Sequence, residues 1–131
     1  MPKGVAISHL GACNTCLDIN ERFAVGSGDV VLSLAALSFD LSVYDLFGVL
    51  ASGGTVVMPD PKQGANPEHW LQLLEEKQVT VWNTAPPVMT ALLEFVRLDD
   101  EAAARFQQLP LRVVMLSGDF CPKWVPTELQ E

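Results

Sequence analysis

Positive charge is scarce in this sequence: eight Lys and Arg stand against sixteen Asp and Glu, a formal net charge of −8. No basic patch is available to neutralise phosphates, which disfavours nucleic-acid and anionic-membrane binding. Long apolar runs are missing too. Charged or polar residues interrupt every stretch before it reaches the roughly 18 apolar residues that a membrane-spanning helix needs. The opening MPKGVAISHLG lacks the basic head, long apolar run and small-residue cleavage site of a signal peptide, so the expected location is cytoplasmic. Cysteine is sparse and odd in number, three in all, which argues against a disulfide framework. Cys13 and Cys16 form a C-x-x-C pair, but no second pair completes a zinc site, and a structural role is the better reading. GSGD, Gly26 to Asp29, precedes a strand instead of following one, so it reads as a turn and not as a dinucleotide fingerprint.

A core, by contrast, is well supplied. Of the 131 residues, 49% are hydrophobic and 18% charged, which argues against disorder. A chain of this length buries about two-thirds of its unfolded surface. Ser8 is placed to cap a helix from about His9 to Ala24, with Leu10, Cys13, Leu17, Ile19 and Phe23 on a helical stripe. DVVLSLA, TVVMPD, VTVWNTA and LRVVMLSGD read as strands, and Val5 to Ile7 as the end of one. Helices are expected from Val43 to about Leu50, from Asn66-Pro67 to about Lys77, after Pro86-Pro87, and over DDEAAARFQQL. Strands that are β-branched and nearly uninterrupted are buried on both faces. Alternating with helices, they predict an α/β fold, a mostly parallel sheet flanked by helices. No repeat or linker is visible, and the abrupt start and stop read as a piece cut from a larger protein.

LSFDLSVYDLFGVL, Leu37 to Leu50, is apolar apart from small polar residues and two aspartates, Asp40 and Asp45, and contains no Lys, Arg or His. A carboxylate buried without a partner is costly, so a cation is expected for Asp40. In open α/β sheets ligands bind beyond the carboxyl ends of the strands. Those positions carry Ser38, Phe39 and Asp40, then Asn83 and Thr84, then Ser117, Gly118 and Asp119. If they converge, the site suits a small ligand bearing an ammonium group, with Asp40 accepting from it. Spacing alone favours a plainer role for Asp40 or Ser42, the N-cap of the helix that follows.

PKGVAISH resembles the tail of the phosphate-loop motif of adenylate-forming enzymes. LSFDLSVYDLFGVLASGGTVVMPD, VTVWNTAPPVMTALLE and LRVVMLSGD resemble, in order and spacing, successive motifs of the amino-acid adenylation domains of nonribosomal peptide synthetases. The resemblance covers essentially the whole chain. It implies a partial AMP-binding domain over residues 1–131, incomplete at both ends and part of the large N-terminal subdomain. Such domains use ATP and Mg²⁺ to form an aminoacyl-AMP. They pass the acyl group to a phosphopantetheine thiol on a carrier domain, beside condensation or heterocyclization domains, in secondary-metabolite assembly that includes siderophores.

Carried over by resemblance, Asp40 would bind the substrate's α-ammonium, and Leu41, Tyr44, Asn83, Met115 and Ser117 would line the pocket. That set resembles the pockets of cysteine-selecting domains. Phe39, Lys3, Gly118 and Asp119 would lie on the nucleotide side. The first half of the phosphate loop, the adenine and Mg²⁺ motif and the lysine-bearing C-terminal subdomain are not in the sequence. The chain alone is therefore expected to contain no complete catalytic set and to be inactive. Two alternatives stand beside this reading: a fragment of an acyl- or aryl-CoA ligase, or a non-catalytic remnant or interaction piece.

Overall fold

The computed structural model describes residues 4 and 6–130. Four parallel strands make one sheet: β1 (Val30–Leu32), β2 (Thr55–Val57), β3 (Val81–Thr84) and β4 (Val113–Leu116), in spatial order β2-β1-β3-β4. Val31 pairs with Val56 on one side and Val81 on the other, and Asn83 lies opposite Met115. The strands are shorter than the apolar runs predict. After Leu32 only one more ladder bond forms, from Ser33 N–H to Val57 O at 2.9 Å, before the chain leaves the sheet.

Side-chain alternation divides the core in two. On one face Trp82, Leu71, Leu74, Met89, Leu92 and Leu93 pack together beneath α4 (Pro67–Glu76), α5 (Pro86–Arg97) and α6 (Asp100–Phe106). Each such fully buried side chain contributes about 1.5–3 kcal/mol. On the other face Val31, Val81 and Val113 meet Cys16, Tyr44 and Val49. These come from α1 (His9–Arg22) and from a helical segment made of α2 (Leu41–Val43), a π turn (Tyr44–Gly48) and α3 (Val49–Ala51). The short α7 (Trp124–Glu128) buries Val125 in the first cluster.

Side-chain caps explain three of the helix starts. Ser8 Oγ accepts from Gly11 N–H, Asn66 Oδ1 from Glu68 and His69 N–H, and Asp99 from Glu101 and Ala102 N–H. The expected cap at Asp40 or Ser42 is absent. Asp40 is itself helical (φ −62°, ψ −26°) and its side chain makes no capping bond. Ser42 Oγ instead donates to Phe39 O at 2.7 Å. The helix therefore begins at Leu41, ahead of the expected Val43. The expected strand from Val5 to Ile7 falls partly on Val5, outside the described residues, and Ala6 and Ile7 are not in a strand.

The amino ends of the strands are tied by one polar clasp. Asp29 accepts from Arg112 Nε (2.9 Å) and Nη2 (2.6 Å), from Thr80 Oγ1 (2.7 Å) and from Gly26 N–H (2.9 Å). Arg112 also donates to the carbonyls of Phe23 and Ala24 at the end of α1. The clasp joins β1, β3, β4 and α1, and every oxygen of Asp29 is used. Its carboxyl is held down at about 2, first by the Arg112 hydrogen bonds. Among the described residues no helix is long and apolar enough to cross a membrane.

Candidate functional site

The carboxyl ends of the strands, opposite the clasp, are where small polar groups gather with incomplete bonding. Three loops meet there. Asn83, at the end of β3, is 3% exposed. Its Nδ2 donates to Leu41 O at 3.1 Å and to Asp45 Oδ1 at 2.9 Å, joining the middle of the sheet to the helical segment. Ser117 N–H donates to Thr84 O at 3.2 Å, holding the loop after β4 beside β3. Gly118 lies in the left-handed region (φ +85°), and a Cβ there would stand 3.6 Å from Cε1 of Phe39. The loop after β1 thus touches the loop after β4 through an aromatic ring lying on a glycine.

The structure separates the two aspartates of the Leu37–Leu50 stretch. Asp40 is exposed at the rim, so its carboxylate meets water and the expected cost of burial does not apply to it. Asp45, one helical turn onward, is fully buried. Burial pushes its carboxyl up to about 6, against the lowering effects of the Asn83 hydrogen bond and of the nearby Ser33 hydroxyl. The Ser33 hydroxyl lies close enough to act on Asp45 yet falls outside hydrogen-bond geometry, so Ser33 Oγ and Asp45 Oδ2 are both buried without a partner. None of the ion pairs among the described residues involves Asp45. The costly unpaired carboxylate that the sequence foretold therefore exists, but it is Asp45 and not Asp40.

The other expected site residues differ in burial. Leu41 and Met115 are half-buried around Asn83, while Ser117, Gly118 and Asp119 are exposed. Asp119 Oδ1 accepts from Phe120 N–H at 2.7 Å, which turns the chain away from β4. Tyr44 is buried with its hydroxyl donating to Asn20 Oδ1 at 2.9 Å, so its polar tip faces α1. Desolvation pushes that phenol up to about 12. Lys3 lies outside the described residues. Asp45 and Ser33 were not among the expected site residues. Helical spacing offered a signal for Asp45: Leu41, Tyr44, Asp45, Gly48 and Val49 form an i, i+3, i+4, i+7, i+8 stripe.

The profile of the AMP-binding enzyme family matches residues 1–131. The chain is 46% identical over 127 residues to pyochelin synthetase PchF of Pseudomonas aeruginosa, covering 96% of this chain and 7% of that protein. It is 45% identical over 130 residues to the anguibactin system regulator of Vibrio anguillarum, covering 99% of this chain and 12% of that one. A solved structure of the nonribosomal peptide synthetase FmoA3, in its α-methyl-L-serine-AMP bound form, is similar with a TM-score of 0.86 and 39% identity, over 99% of this chain and 14% of that one. A second FmoA3 structure, in its AMPPNP bound form, is similar with a TM-score of 0.85 and 40% identity, over 98% of this chain and 14% of that one. The chain thus spans a small part, 7–14%, of the length of these relatives.

Proposed function

Because this chain belongs to the AMP-binding enzyme family, we propose that it is the substrate-side segment of an amino-acid adenylation domain. In the intact protein the domain forms an aminoacyl-AMP from an amino acid and ATP, releasing pyrophosphate. The observation that carries this reading is the meeting of three strand ends: Asn83 bonded to Leu41 and Asp45, Ser117 bonded to Thr84, and Phe39 against Gly118. It agrees with the nonribosomal peptide synthetases among the similar proteins.

In this reading each residue has a physical task. Asp40, exposed at the rim, accepts from the substrate's α-ammonium. Leu41 and Met115 exclude water from the side chain, with the ring of Tyr44 behind them. Asn83 and Ser117 supply the polar contacts. Phe39, Gly118 and Asp119 face the nucleotide. ATP supplies the adenylyl group that activates the substrate carboxylate. Among the described residues no three His, Cys, Asp or Glu side chains gather to hold a metal. The acyl acceptor is a phosphopantetheine thiol of a carrier domain, next to condensation or heterocyclization domains.

The proposed substrate is cysteine. The support is the lining Asp40, Leu41, Tyr44, Asn83, Met115 and Ser117: two thin apolar walls with soft, polarisable Met115, and two small polar groups. Amino-acid-dependent ATP–pyrophosphate exchange by the intact protein tests both levels. Exchange dominated by cysteine is expected. Exchange with another amino acid overturns the substrate, and exchange only with aryl or fatty acids overturns amino-acid activation itself.

A further inference from the structure

We propose that Asp45 is a positioning residue that fixes the amide of Asn83, so that the carbonyl oxygen of Asn83 is the atom offered to a donor on the substrate's side chain. The inference rests on the reading of this site as an amino-acid pocket. An asparagine amide offers two donors at one end and an acceptor at the other, and only its bonding network says which way it faces. Here the network is one-sided. Leu41 O can only accept, and so can the carboxylate of Asp45; both take hydrogens from the same Nδ2, at 3.1 and 2.9 Å. Flipping the amide would set its oxygen against two acceptors and leave both unpaired in a buried place. Asn83 Oδ1 is thereby held as the free acceptor.

The placing of Asp45 argues against a merely structural role. It is 0% exposed, no cation among the described residues pairs with it, and its Oδ2 has no partner. Such a group costs stability, and an apolar residue of similar size would pack there at lower cost. The contrast with Asp29 is direct, since that carboxylate is fully bonded within the clasp. Asp45 spends its one good hydrogen bond on Asn83. The burial of the two residues fits the substrate class: Asp40 is exposed and Asn83 is buried, and on the pocket reading an ammonium held at Asp40 would leave the side chain to meet Asn83. The class is then an amino acid whose short side chain carries a donor, a thiol or hydroxyl, and not its apolar isostere.

The test uses the intact protein and compares exchange with cysteine against 2-aminobutyrate, which replaces the thiol by a methyl. Asp45→Leu removes the acceptor, and Asp45→Asn keeps an acceptor but adds a competing donor. The ratio of kcat/KM for cysteine over 2-aminobutyrate is expected to fall about tenfold in Asp45→Leu and about threefold in Asp45→Asn, while the KM for ATP changes by less than about twofold. A purely structural role would lower activity with both amino acids equally and leave the ratio alone. A folded Asp45→Leu protein with the wild-type ratio overturns the proposal. If that variant does not fold, a wild-type ratio in Asp45→Asn overturns it instead. Failure of the wild-type protein to exchange with any amino acid would defeat the reading of the pocket, and is told apart by needing no variant.

Discussion

Asp29 and Asp45 are both withdrawn from water, yet their carboxyls move in opposite directions, to about 2 and about 6. The difference is the partner: a guanidinium in the first case, and an amide with an imperfectly placed hydroxyl in the second. The signs of their pH effects follow. Asp29 is more acidic folded than unfolded, so its contribution, about 2 kcal/mol, is present above pH ~4 and lost as pH falls towards 2. Asp45 holds its proton more tightly when folded, so stability declines as pH rises from about 4 to 6, by roughly 3 kcal/mol in all. Denaturant titrations of the chain should show both slopes. Arg112→Ala should cost about 3 kcal/mol at pH 7 and flatten the acid limb, because it leaves Asp29 buried and unpaired. Asp45→Asn should flatten the rise-side decline and leave the chain about 1–2 kcal/mol more stable at pH 8. A variant less stable at pH 8 would contradict an uncompensated carboxylate. The sequence makes it legible that some carboxylate in the Leu37–Leu50 stretch is unpaired. Helical phase assigns it to Asp45, but the acceptor pair around Asn83 depends on contacts 38 and 42 residues away in the chain, which no local pattern reveals.

At the scale of elements, the helical segment that carries Asp45 holds a π turn. Val49 N–H donates to Tyr44 O, five residues back. Such turns cost regular bonding and often stand at functional sites. Here α1 compensates: Asn20 Nδ2 donates to Gly48 O at 2.8 Å while its Oδ1 accepts from Tyr44. Gly48 is required by space, since a Cβ there would come within 2.5 Å of Tyr44 Cδ2. Gly48→Ala should therefore destabilise the chain by about 1–3 kcal/mol, because the tethered ring has no room to swing. A thermal midpoint unchanged by that substitution would show the ring to be free. The order of helices and strands was readable from periodicity, glycines and prolines. The π turn was not, because an i→i−5 bond leaves no residue pattern of its own. The ends of the strands were overestimated for a related reason: apolar residues continue into loops that are covered by helices instead of paired.

For the molecule as a whole, the sheet separates a closed end from an open one. At the amino ends of the strands the charges of Asp29 and Arg112 are matched within the clasp, while the carboxyl ends leave Ser33 and Asp45 incompletely bonded. The face made by α1 and the π turn also shows water large apolar side chains, Leu10 (82% exposed), Leu17, Phe47 and Leu50. β2 and β4 are edges of the sheet among the described residues. Surfaces of this kind self-associate. The 131-residue chain by itself should elute above its 14.3 kDa mass on size exclusion and show no ATP–pyrophosphate exchange. A catalytically active monomer would contradict a site completed by further chain. Fold class was legible here from alternation alone, whereas the site was legible only as a set of strand ends, since convergence is a property of the sheet.

On the proposed reading, amino-acid activation begins with the α-ammonium of the substrate at Asp40. The most direct measurement is exchange by the intact protein, wild type and Asp40→Ala, with cysteine and with 3-mercaptopropionate, which lacks only the amino group. Wild type is expected to prefer cysteine by about a hundredfold or more, and Asp40→Ala to lose most of that preference. A wild-type protein indifferent to the amino group, or a preference that survives Asp40→Ala, would contradict it.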